Sequence, residues 1–268
     1  MSELRQRALQ CLSLKDPEEK SSEVFRLFAE YAEKLIVLNP EAFITDVPID
    51  LPGRPDKPVL VDPLRVKKRA MNTLEGRSAL LHSLAHIEFN AINLALDAVW
   101  RFQGMPRAYY EDWLKVAKEE AYHFTLIKDR LAVDGYHYGD FPAHNSLWEM
   151  AQKTQTSVLA RMALVPRTME ARGLDAVPAI RERFAQIKDI RTVEVLDIIL
   201  RDEIGHVAIG NCWFNYLCDL DNLDPINTYS ELAKKHKAPV LRGPFNFEAR
   251  SAAGFTEQEL NVIKDQAV

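Results

Sequence analysis

A chain of 268 residues, 47% hydrophobic and 27% charged, can fill a sizeable core without disulfides or structural metals to staple it. Its net charge of −5 argues against a general nucleic-acid binder, which carries a basic surplus, and no apolar run reaches the roughly 18 residues that a membrane span needs. Cys11, Cys212 and Cys218, an odd set without Cys-x-x-Cys spacing, fit reduced thiols, and the charged start lacks a signal-peptide core, so a soluble, cytoplasmic protein is expected.

Helical periodicity dominates, and strand signals are sparse. Residues 4–38 read as two helices broken at Asp16-Pro17, where Pro suits a first helical turn. Residues 40–63 hold Pro48, Pro52, Pro55 and Pro58, too many for a helix, and read as an ordered wrap or linker. The basic residues Arg65, Lys67, Lys68 and Arg69, next in the chain, read as a solvated helix start.

Four long helical segments come next. Segment A starts at Asn72, spaced from Glu75 as in a capping box, and ends near Gly104. Segment B covers about 108–134, with Gly135 as its stop. Segment C starts after Asn145 and ends at Gly173, and a short helix over 178–186 comes after it. Segment D covers about 192–220. Residues from 221 onward, with Pro225, Pro239 and Pro244, read as loops and short helices packed on the rest. The expected architecture is all-α and a single domain. Residues 1–63 form N-terminal helices and the wrap, 64–220 a four-helix bundle, and 221–268 a loop-rich C-terminal extension.

The chemistry concentrates at Glu88, Glu120, Glu170 and Glu203. Two of these open Glu-x-x-His motifs, Glu120 with His123 and Glu203 with His206. Glu88 precedes Glu120 by 32 residues and Glu170 precedes Glu203 by 33, so one unit occurs twice: a Glu, a helical hairpin, then Glu-x-x-His. In segment A, Glu88 shares a stripe with Leu81, Leu84, Ala85, Ala91, Ile92 and Ala95. Glu120 falls in line with Trp113, Val116, Ala117, Phe124 and Ile127, and Glu203 with Leu196, Ile199, Leu200, Val207 and Gly210. Carboxylates thus occupy core positions. A buried carboxylate is costly unless it is protonated, paired or metal-bound. A Glu and a His three apart share a helix face, so both reach one inward site. Four carboxylates and two imidazoles suit two divalent ions, and the imidazoles favour iron or manganese over magnesium.

This pattern resembles the ferritin-like di-iron carboxylate proteins, in which two helices give one Glu each and two give Glu-x-x-His. With His86-Ile87-Glu88 and the late Leu241-Arg242-Gly243-Pro244-Phe245-Asn246, it is similar to an uncharacterised bacterial ferritin-like family over roughly residues 60 to 260. The resemblance implies a ferritin-like four-helix bundle. Glu120 or Glu203 would bridge two metals, Glu88 and Glu170 would be terminal ligands, and His123 and His206 would take one metal each. It departs from the simplest pattern at Glu170, which falls near the end of segment C, where Pro166 should kink the helix.

The expected function is a dinuclear metal oxidoreductase acting with dioxygen or peroxide on a small molecule, with an electron donor as partner and a homodimer as an expected assembly. A non-catalytic metal-binding or storage protein is the alternative. Hydroxylation of a tRNA nucleoside, as in a more distantly similar di-iron enzyme, is a third reading that the acidic charge disfavours. Glu119 and Asp202 read as solvent-facing charge or as acceptors that orient a ligating His. Tyr122 reads as a packing residue or a relay beside the metals. His82 and His86 share a helix side with Asn90 and Asn93, which reads as polar surface. His137 and His144 fall in an exposed loop, and Cys212 and Cys218 read as packing residues.

Overall fold

The computed structural model describes residues 2–67 and 69–266. The protein is all-α, with one two-residue parallel pairing, β1 (Ser2–Glu3) with β2 (Ile36–Val37), among the described residues. Its residues group into two compact units, 1–148 and 149–268.

The first unit is built from α1 (Leu4–Ser13), α2 (Pro17–Ala32), α3 (Leu74–Arg101) and α4 (Arg107–Val133). Each start has a local cause. The Glu3 side chain accepts from the Gln6 N–H, and Asp16 caps the N–H groups of Glu18 and Glu19 with Pro17 at the first helical position. α3 is capped by Thr73, whose hydroxyl accepts from the Gly76 N–H, one residue later than the expected Asn72 cap. The α3–α4 hairpin is the principal packing of this unit, with α1 laid on α3 and α2 on α4. All the apolar stripe positions expected of segments A and B are buried.

Residues 40–62, expected to be an ordered wrap or a linker, contain no helix and lie against the rest of the first unit. The chain holds to α1 through the Gly53 N–H to the Leu12 carbonyl (2.9 Å), and to the loop after α4 through Val61 and Ala143 (2.8 Å). This cover corrects the reading of His82, His86, Asn90 and Asn93 as polar surface: all four are buried. His86 Nδ1 lies 2.8 Å from the Tyr138 hydroxyl and its Nε2 3.0 Å from the His144 carbonyl, while His82 Nε2 accepts from the Gly139 N–H at 2.9 Å. His144 is half-buried for the same reason, while His137 is exposed as expected. The Lys20 ammonium is fully buried beneath the wrap. It donates to the Leu12 carbonyl (3.1 Å), the Gly53 carbonyl (2.7 Å) and Asn93 Oδ1 (2.5 Å), joining α1, α2, α3 and the wrap. Arg65 and Lys67 are exposed, Arg69 pairs with Glu75, and Lys68 lies outside the described residues.

α5 (Ser146–Lys153) crosses the boundary between the units. The second unit then contains α6 (Val158–Leu164), a π-helical segment (Val165–Glu170), α7 (Ala171–Gln186), α8 (Ile190–Leu220), α9 (Pro225–Lys235), α10 (Phe247–Ala252) and α11 (Glu257–Gln266). Segment C therefore differs from expectation in two ways. Its first part is a separate short helix, α5. Its second part neither stops at Gly173 nor yields a new helix at Pro178: helical structure continues from Val158 through the π segment to Gln186, with Pro178 inside α7.

Two compensations explain the continuity. Pro166 has no N–H to give, and the helix widens over Val165–Glu170 instead of ending. Pro178 leaves the Leu174 carbonyl without its usual helical donor, and the Asn246 side-chain amide donates to that carbonyl at 3.2 Å. The Asn246 N–H also binds Asp175, and Arg250 clamps the same carboxylate through Nε (3.0 Å) and Nη2 (2.6 Å). The C-terminal extension, expected to be loops and short helices, thus completes the backbone hydrogen bonding of α7. Cys218 is buried as expected; Cys212, about 120° away round α8, is exposed and is not a packing residue.

Candidate metal-binding residues

In the first unit, Glu88 lies at mid-length of α3, and Glu120 and His123 at mid-length of α4. Uninterrupted α-helix on both sides fixes their direction, and their burial is nearly complete, at 4%, 1% and 0% exposure. His123 Nδ1 is 3.3 Å from Glu88 Oε2 and 3.4 Å from Glu120 Oε2. One donor atom from each of the three residues falls within 4.8 Å of the others. Phe89 and Phe124, adjacent in sequence to Glu88 and His123, pack with ring centroids 5.7 Å apart, so the polar cluster is set in apolar surroundings.

The second unit carries the other copy. Glu203 lies as far into α8, counted from Ile190, as Glu120 lies into α4, counted from Arg107. His206 Nδ1 is 3.5 Å from Glu203 Oε1, matching the separation within the first motif, and both residues are buried. Glu170 closes the π segment and is half-buried. It lies inside a continuous helical run, not near a helix end as expected.

Two glycines shape this copy. A side chain at Gly173, one turn beyond Glu170, would begin 4.0 Å from Glu203 Oε2, so α7 leaves the space beside that carboxylate open. At Gly210 a Cβ would fall 2.5 Å from Pro166 Cβ, which shows how closely α8 approaches the π segment. Sequence reasoning read Gly173 only as a stop and Gly210 only as part of a stripe. The available signal was their one-turn spacing from a proposed ligand and its stripe.

Glu119 and Asp202 are half-buried and meet basic neighbours, Glu119 with Lys115 at 3.8 Å and Asp202 with Arg201 at 2.8 Å. Tyr122 is 43% exposed, so the packing reading is corrected: it projects from the face of α4 roughly opposite Glu120.

The donor set fits a divalent cation. Two carboxylates sharing one imidazole nitrogen in a dry interior bring negative charge together, and a cation within reach of all three relieves it. Among the described residues, no helix is long and apolar enough to cross a membrane.

The structure therefore defines an all-α protein with a buried Glu–His cluster capable of holding metal. The chain belongs to the DUF455 family, described as a protein of unknown function, whose pattern matches residues 13–261. It is similar to an uncharacterized protein of Haemophilus influenzae, 48% identical over 260 residues that cover 94% of this chain and 90% of that one. No solved structure matches.

Proposed function

We propose that the protein is a dinuclear metal oxidoreductase, with iron the first candidate and manganese the second, that uses dioxygen or peroxide to oxidise a small molecule. The ligands are Glu88, Glu120 and His123 from the first unit and Glu170, Glu203 and His206 from the second. The observation that carries this reading is the buried triad of α3 and α4, whose donor atoms fall within 4.8 Å of one another. The same residue types recur at nearly the same spacing in the second unit, which supports two ions rather than one. The doubled motif also supports assignment to the ferritin-like di-iron carboxylate proteins.

Bound iron supplies oxygen activation and one-electron redox steps. The chain contributes ligands, orientation and exclusion of water. His123 and His206 each turn Nδ1 toward a carboxylate, so as neutral ligands through Nδ1 they carry their proton on Nε2. Glu120 or Glu203 would be the carboxylate shared by both ions, and Glu88 and Glu170 would each serve one ion. With dioxygen as oxidant, a separate electron donor closes the redox balance.

The test is metal content per chain by mass spectrometry, on protein purified without chelators or a His-tag. About two equivalents of iron or manganese are expected. Glu120→Ala and Glu203→Ala should each lose one or both ions. A folded protein that refuses added iron, or full occupancy in both variants, overturns the assignment.

A further inference from the structure

The second unit holds a cavity of about 390 Å³ that does not involve Glu170, Glu203 or His206. Its walls come from α9, α11 and residues 238–241, with Arg167 of the π segment and Arg250 of α10 completing them. The volume lies within the range of small-molecule pockets, which are mostly apolar with a few placed polar groups.

Much of the lining is apolar: Ile226, Val240, Leu241, Phe255, Val262 and Ile263. Val240 and Val262 remain 76% and 36% exposed, so the chain leaves this apolar surface open at the cavity. The polar lining comprises Arg167, Lys234, Arg250 and Glu259 with the neutral Asn227, Tyr229 and Ser230. Arg167 is spent on Asn211 (3.1 Å) and Glu259, and Arg250 on Asp175. Lys234, in the last turn of α9, is exposed and makes no ion pair among the described residues. With Arg167 paired to Glu259 and Arg250 to Asp175, the charge left over at the lining is the ammonium of Lys234. An apolar wall beside an uncommitted ammonium is complementary to a molecule with an apolar body and one negative group.

We propose that this cavity is a binding site for a small amphipathic anion, its apolar body against Val240, Phe255 and Ile263 and its negative group at Lys234. The site is separate from the proposed metal ligands, and binding there requires no metal.

The experiment is calorimetric titration of the purified full-length protein with decanoate, decylamine and decanol. Decanoate should bind saturably at one equivalent per chain, and decylamine and decanol at least tenfold more weakly. Lys234→Glu should weaken decanoate at least tenfold. Ser230→Trp, on an exposed face of α9 that borders the cavity, should do the same by filling it. Both positions are exposed, so the helical circular dichroism should stay unchanged. Absence of saturable decanoate binding, decylamine binding as tightly as decanoate, or undiminished affinity in either variant overturns the proposal.

Discussion

The two copies of the Glu and Glu-x-x-His unit are held in different ways. In the first, α3 and α4 are uninterrupted helices, and the bracing comes from buried polar groups on the far side of α3: Lys20, His82, His86 and Asn93 beneath the wrap. In the second, the helix carrying Glu170 is widened by a π segment and contains Pro166 and Pro178. It is braced by close backbone approach at Gly210 and by the tail residues Asn246 and Arg250. One motif can therefore be supported by buried charge in a regular frame or by compensated irregularity. The regular frame fixes direction. The π segment, a feature frequent at functional sites, adds a residue to the turn and so rotates the side chains of the next turns about the helix axis.

The comparison can be broken at the first unit's charge. Lys20→Ala strands two carbonyls and the Asn93 amide oxygen in the interior and leaves a cavity, for an expected loss of about 3–5 kcal/mol. Urea unfolding measures it; a loss below about 1 kcal/mol would mean that the wrap holds without its buried ammonium.

Acid probes the same brace. Burial pulls His82 from the ordinary 6.5 to about 4, and its Nε2 is already committed as acceptor of the Gly139 N–H. The unfolded chain takes up this proton near pH 6.5 while the folded chain resists until about 4. The contribution is therefore whole above pH 6.5 and lost as pH falls toward 4. A shift of this size is worth roughly 3 kcal/mol. His82→Gln keeps an acceptor for Gly139 but cannot titrate, so its stability should fall less between pH 7 and 4.5. Parallel unfolding curves for variant and parent at both pH values would remove His82 from the acid response.

The second unit's brace is tested by Gly210→Ala. The new methyl group meets the Pro166 ring, which cannot rotate away, and about 1–3 kcal/mol should be lost through displacement of the π segment. Thermal unfolding checks it. If this substitution costs more than Lys20→Ala, the division between a charge-braced and an approach-braced copy fails.

Much of this protein was legible in its sequence because the signals were local and repeated. The helical period placed α3, α4 and α8 to within a few residues, and carboxylates at stripe positions announced Glu88, Glu120 and Glu203 as buried. The i, i+3 spacing brought each His beside its Glu. What the sequence could not decide depended on distant residues. Gly173 and Pro178 are stop signals by propensity, yet α7 runs through both, because Asn246 supplies the donor that Pro178 lacks from 68 residues away. His82, His86 and Asn93 read as a polar surface until residues 40–62 and the loop after α4 are laid over them. Propensity and periodicity act within a few turns of chain. Burial of a polar face, and repair of a backbone carbonyl, are settled only by which remote segment comes to cover them.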